Sequence, residues 1–207
     1  KHPVIEIIKD WGITFQGLDH FYESSQFEMV YQRIVDFLLK EAKEKGEIIY
    51  GVPGSPQVAE DTVARLKKEG PAHNVEIEVL PALSFLDVLL PLLNIDPIEG
   101  LQIANGLETV GDISTDRGLI VCQVYNRLIA SQVKLNLMEY YPDEVLVKVV
   151  RAAGVPGLER IAEVPLYEID HLDWIDYLTT LYIPPCPGMK QRTKAQFPLD
   201  PLVEIMD

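Results

Sequence analysis

Cysteine is scarce in this chain. Among 207 residues only Cys122 and Cys186 occur, too few for a disulfide framework and without Cys-x-x-Cys spacing. Two such thiols suit a reducing compartment, so a cytoplasmic location is expected. Positive charge is also short, with 18 Lys and Arg against 32 Asp and Glu and a formal net charge of −14. The deficit is even, since residues 1–96 carry 16 acidic against 9 basic groups and residues 97–186 carry 13 against 6. No basic face remains to neutralise phosphates, which argues against nucleic acid as a partner. Anionic membrane surfaces are disfavoured for the same reason. No apolar run approaches the roughly 18 residues of a membrane span.

Several chemical signatures are missing as well. Neither Gly-x-Gly-x-x-Gly nor a Walker A pattern occurs, so the usual nucleotide fingerprints are absent. His2, His20, His73 and His171 are scattered, and no metal site is expected. No Gly-x-Ser-x-Gly elbow is present. The chain opens Lys1-His2-Pro3 without Met, so its start is expected to be a fragment boundary.

What the chain does contain is a set of strand-end turns. Residues 48–52 form an apolar, β-branched run that enters Pro53-Gly54-Ser55-Pro56. The run predicts a buried strand, the Pro-Gly pair a turn, and Ser55 a cap with Pro56 opening a helix. That helix would carry Ala59, Val63 and Leu66 on one face. Such a turn either admits a ligand to the backbone or simply joins strand to helix.

Earlier, residues 3–11 carry helical spacing that ends at Gly12, and residues 13–15 suggest a short strand. Ser25 with Glu28 forms a capping box ahead of the stripe Phe27, Val30, Tyr31, Ile34, Phe37, Leu38 and Ala42. Later, Val75, Ile77 and Val79 alternate with Glu76 and Glu78, a half-buried strand. Ser84 with Asp87 forms a second cap before residues 85–90, a helix so apolar that it should be buried. Alternating strands and helices imply a parallel sheet in a first domain over residues 1–96. Asn94-Ile95-Asp96-Pro97 breaks the pattern. A second α/β domain follows over residues 97–186, beginning with a loop that holds Gly106 and Gly111. Strands are expected at 119–125, 145–150, 160–169 and 179–183, and a helix at 128–141. Two strands in direct succession imply a mixed sheet. Residues 187–207 begin a linker.

Four segments in order carry a resemblance. They are Tyr50-Gly51-Val52-Pro53-Gly54-Ser55-Pro56, residues 78–87 around Pro81-Ala82-Leu83-Ser84-Phe85, Val124-Tyr125-Asn126-Arg127, and Arg151-Ala152-Ala153-Gly154-Val155-Pro156-Gly157. Together they resemble the tetrapyrrole methylase family, in the branch fused to a MazG-type nucleotide pyrophosphohydrolase. Residues 202–206 are similar to the opening helix of such a MazG domain. The resemblance implies two α/β domains with S-adenosylmethionine in the cleft between them, a small-molecule methyl acceptor and a homodimer. It also implies that the family's first strand and its Gly-rich loop precede this chain.

By the same resemblance the cofactor-binding residues are Val52, Pro53, Gly54, Ser55, Pro56, Pro81, Ser84, Phe85, Tyr125, Asn126, Ala153, Gly154, Val155 and Pro156. Tyr125 would lie against the adenine. The chain departs from the family's turns at Ser55, Ala82 and Phe85. Those departures motivate an alternative, a non-catalytic module that senses a small molecule for the attached pyrophosphohydrolase. No catalytic residue is nominated, because an activated sulfonium needs mainly alignment of donor and acceptor. Arg127 and Arg151 stand at strand ends, either as an anion site or as structural ion pairs.

Overall fold

The computed structural model describes residues 4–23, 27–108 and 111–188. The chain divides into two compact units, one up to Val88 and the other from Leu89 onward. The division falls inside a helix, ahead of the Asn94–Pro97 break that the sequence marks.

In the first unit, helix α1 spans Val4–Asp10 and none of its residues is buried. Gly12, at φ +70°, closes it in the left-handed region that glycine tolerates. Helix α2, Phe27–Lys45, follows from the long apolar stripe, and Lys43 and Lys45 in its last turn complement the helix dipole. Val30, Ile34, Val35, Leu38 and Leu39 of α2 are buried together with Leu66 of helix α3, Asp61–Glu69. Ile48, Tyr50, Val75 and Ile77 pack onto that cluster from two extended segments. Ser25, the expected cap of α2, lies outside the described residues.

Three expectations are corrected here. The strands at 13–15, 48–52 and 75–79, and the parallel sheet they imply, form no ladder among the described residues. Residues 48–52 and 75–80 do alternate between half-buried and exposed positions, as strands would. Among the described residues they have no neighbouring strand with which to exchange backbone hydrogen bonds, and an extended segment without a partner is not a sheet. The helix expected at Pro56 begins at Asp61 instead. The Ser55 hydroxyl accepts from the Gln57 N–H at 3.3 Å, closing a local turn, and Ala59 at φ +58° interrupts any helix there. Helix α4, Phe85–Leu93, is less buried than its composition implies, with only Leu89 and Leu93 fully covered and Val88 exposed.

The second unit is built on one mixed sheet. Its strands are β1 Leu101–Asn105, β2 Gly118–Cys122, β3 Leu146–Arg151, β4 Arg160–Pro165 and β5 Thr179–Ile183, in the order β1-β2-β5-β3-β4. β1 and β2 run parallel; β5 is antiparallel to both β2 and β3, and β4 to β3. Strand β2 is buried at all five positions, as its unbroken apolar run requires. Helix α5, Arg127–Leu137, places Ile129, Ala130, Val133 and Leu137 in one core with Leu119 and Val121 of β2, Val147 and Val149 of β3, and Leu181 and Ile183 of β5. Each of these side chains larger than Ala130 contributes roughly 1.5–3 kcal/mol when fully buried. A short 3-10 helix, Leu166–His171, adds Leu166 and Ile169. It is tied to α5 by the Lys134–Asp170 ion pair at 2.7 Å. The expected mixed α/β architecture is therefore present. Strand β1 is the addition, found where the sequence suggests a loop.

Candidate functional site

The parallel directions of β1, β2 and β3 bring their carboxyl ends to one edge of the sheet. In open α/β sheets this is the edge that ligands use. Three turns leave it, at 105–108, 123–126 and 152–158. β5 begins between the last two, with Thr179 paired to Arg151. Its first turn holds both neighbours. The Val124 N–H donates to the Thr179 carbonyl at 3.4 Å, and the Ala152 N–H to the Leu178 carbonyl at 3.0 Å. Gln123 and Ala152, each the first residue beyond its strand, have φ of +61° and +51°. Non-glycine residues in that region mark backbone strain, which concentrates at functional sites.

Tyr125, Asn126 and residues 153–156 are therefore brought to one edge. Tyr125 is half-buried, its ring partly packed against the core. Asn126 caps α5, its side-chain oxygen accepting from the Ile129 N–H at 3.0 Å. Ala153 and Val155 are half-buried, while Gly154 and Pro156 are exposed. The Gly154 N–H donates to the Glu159 carboxylate at 2.7 Å. The two arginines differ. Arg127 donates to the Asp170 carbonyl at 2.8 Å. Arg151 pairs with Asp176 at 2.8 Å. Of the two readings of Arg151, the ion pair is the one observed.

The turn at 105–108 is a loop in the sequence but none of its residues is among the predicted site residues. The Asn105 side chain accepts from the Leu107 N–H at 3.0 Å, and the Gly106 N–H donates to the Cys122 carbonyl at 2.8 Å. A Cβ on Gly106 would stand 2.9 Å from that carbonyl, so only glycine fits. The signal available was the Asn-Gly pair. Cys122 itself is structural. Burial pushes its thiol up to about 11, and it donates to the Ala104 carbonyl at 3.3 Å.

In the first unit two of the named turns meet. Gly54 adopts φ +94°, and a Cβ there would lie 3.7 Å from the Leu83 carbonyl. Pro53, Gly54 and Pro81 are exposed; Val52, Ser55, Pro56, Ser84 and Phe85 are half-buried. Ser84 caps α4 as expected. Its hydroxyl accepts from the Leu86 N–H at 3.1 Å, while Asp87 accepts from the Ser84 N–H at 2.6 Å. That last bond, with one from the Ser84 hydroxyl at 3.0 Å, holds the Asp87 carboxyl below its ordinary range.

Behind the 53–59 turn, Tyr50 meets Thr62 at 3.1 Å, and Tyr22 and Tyr31 stand edge to face at 6.5 Å. Burial beside this cluster pushes the Glu60 carboxyl up to about 7. An open depression lined by Leu90, Pro91, Asn94, Ile95, Asp96 and Glu99 adjoins the start of β1, at the opposite edge of the sheet from the turns. Among the described residues no group of three or more His, Cys, Asp or Glu is placed to hold a metal ion. Nor is any helix long and apolar enough to cross a membrane.

The family described as Tetrapyrrole (Corrin/Porphyrin) Methylases is matched over residues 4–170. An uncharacterized protein of Bacillus subtilis (strain 168), YabN, is 42% identical over 186 residues. That alignment covers 89% of this chain but 38% of the relative, so the chain spans well under half of the relative's length. Uroporphyrin-III C-methyltransferase from Thermus thermophilus, solved with S-adenosylhomocysteine, has a similar fold, with a TM-score of 0.55 and 20% identity over 74% of this chain and 69% of that one. Diphthine synthase is similar at a TM-score of 0.57 and 14% identity, over 88% of this chain and 74% of that one.

Proposed function

The chain belongs to the tetrapyrrole methylase family, and on that premise we propose that it is an S-adenosylmethionine-dependent methyltransferase. The observation that carries the reading is the strand-end edge of the second unit, where Tyr125 and residues 153–156 flank the start of β5. The residues there fit the cofactor. Ala153 and Gly154 leave the backbone accessible to a flat adenine. The half-buried Tyr125 offers a ring face. Glu159 and Glu108 supply negative charge suited to a sulfonium. The turns at 52–56 and 81–85 are the cofactor-binding segments proposed for the first unit.

When bound, S-adenosylmethionine would supply a methyl group already activated on sulfur. The chain's own task is to align donor and acceptor and to exclude water. No general base is nominated. The methyl acceptor is a small molecule whose class stays open. The chain is proposed to act in the cytoplasm as the methylase part of a longer protein with a MazG-type pyrophosphohydrolase. The length of the YabN relative supports a longer protein.

Calorimetry of the full-length protein with S-adenosylhomocysteine tests the proposal. Binding is expected, and Ala153→Trp should abolish it without unfolding the protein. Absence of binding at millimolar ligand would leave the non-catalytic alternative instead. A homodimer is also proposed, supported by the exposed Leu80, Leu83 and Val88 around the start of α4. Sedimentation as a monomer at high concentration would refute it.

A further inference from the structure

The turn at 152–158 holds three residues at positive φ: Ala152 at +51°, Gly154 at +72° and Gly157 at +75°. Glycine adopts that region freely, but Ala152 is strained there and persists only where its surroundings over-determine it. The constraint converges on two side chains outside the turn. One carboxylate oxygen of Asp176 accepts the Leu178 N–H at 3.0 Å. The other accepts from Arg151 Nε at 2.8 Å and pairs with its Nη2 at 2.8 Å. The remaining terminal nitrogen of Arg151 donates to the Leu158 carbonyl at 2.9 Å, at the far end of the turn. Its near end is fixed by Ala152 N–H donating to the carbonyl of Leu178, the residue Asp176 orients. Thr179 completes the arrangement. It is buried, its hydroxyl accepts the Asp176 N–H at 3.0 Å, and its carbonyl receives Val124 N–H beside Tyr125.

We propose that Arg151 and Asp176 are positioning residues that set the shape of the 152–158 turn, and through it the affinity for S-adenosylmethionine. The proposal rests on the cofactor reading of that turn. Neither side chain needs to touch the ligand. A planar guanidinium suits the role because it reaches a carboxylate and a carbonyl at once, which lysine does not.

The test uses the full-length protein with Asp176→Asn, Arg151→Met, the double variant and Asp176→Glu. S-adenosylhomocysteine affinity is read by calorimetry, and amide exchange across 152–158 by mass spectrometry. Each single variant should weaken binding by about tenfold, the worth of a charge-assisted hydrogen bond, and speed exchange in the turn. The double variant should lose little more than either single one, since both act through one pair. Asp176→Glu keeps a carboxylate for Arg151 and should recover much of the affinity, which a loss of general stability would not allow. Wild-type protein that fails to bind refutes the cofactor reading, and this proposal with it. Wild-type protein that binds while Asp176→Asn and Arg151→Met bind equally well overturns the proposal alone. So would strictly additive losses in the double variant. If Asp176→Asn does not fold, Arg151→Met and its exchange profile decide.

Discussion

Glu60 shows how one side chain can write a pH dependence into the molecule. Its carboxyl is pushed up to about 7 by burial, beside Tyr22 and Tyr50. In the unfolded chain the same group titrates in the ordinary carboxylate range. Below that range both states hold the proton, and the contribution to stability is fully present. Between there and about 7 only the native state holds it, so stability falls as pH rises. Above about 7 the loss levels off. Discounted for partial solvent exposure, the loss is on the order of 1–3 kcal/mol. Urea unfolding on either side of this window should show it, and Glu60→Gln should flatten the slope. An unchanged slope in that variant would mean that Glu60 ionises normally in the folded protein. Nothing in the sequence marks this residue. Its environment comes from Tyr22 and Tyr50, which are distant in the chain, so only the fold could reveal it.

At the scale of elements, legibility followed periodicity. Helix α2 was plain because seven apolar side chains recur at helical spacing. Strands β2, β3 and β5 were plain because their β-branched runs are bounded by turn residues. β1 was missed because Leu101-Gln102-Ile103-Ala104-Asn105 has one β-branched residue and ends in the Asn-Gly of the loop. Its place in the sheet comes from pairing with β2, and Gln102 adds a side-chain ladder by bonding both the N–H and the carbonyl of Ser114, at 2.9 and 2.8 Å. The extended segments of the first unit depart in the other direction. Their alternation is real, but pattern alone does not supply a partner strand. The site was legible as turns and not as a geometry, since strand order decides which turns share an edge. Helix α5 gives the element-scale prediction. Leu137 is fully buried in the core of the second unit, whereas Leu135 is 62% exposed. Leu137→Ala should cost about 2–5 kcal/mol. Leu135→Ala should stay within about 0.5 kcal/mol. Chemical denaturation followed by circular dichroism checks the contrast, and similar costs for the two would displace α5 from its assigned face.

Over the whole molecule the governing quantity is the net charge of −14. A field of that sign acts on any charged ligand before contact and is screened by salt. The Debye length shrinks from about 30 Å at 0.01 M to about 8 Å at 0.15 M. The two forms of the proposed cofactor differ in how they meet this field. S-adenosylmethionine carries a sulfonium in addition to its zwitterionic amino acid, so it is a net cation. S-adenosylhomocysteine is neutral overall. Local charge adds Glu108 and Glu159, on and just past the turns that leave the same edge, while Arg151 is neutralised by Asp176 and the exposed Arg127 gives one N–H to the Asp170 backbone carbonyl. Salt should therefore weaken the binding of S-adenosylmethionine while leaving that of S-adenosylhomocysteine nearly unchanged. Calorimetry of both ligands at low and physiological ionic strength separates the cases. Parallel salt dependence would show that the acidic surface does not reach the site, and that the sulfonium is recognised by contact alone.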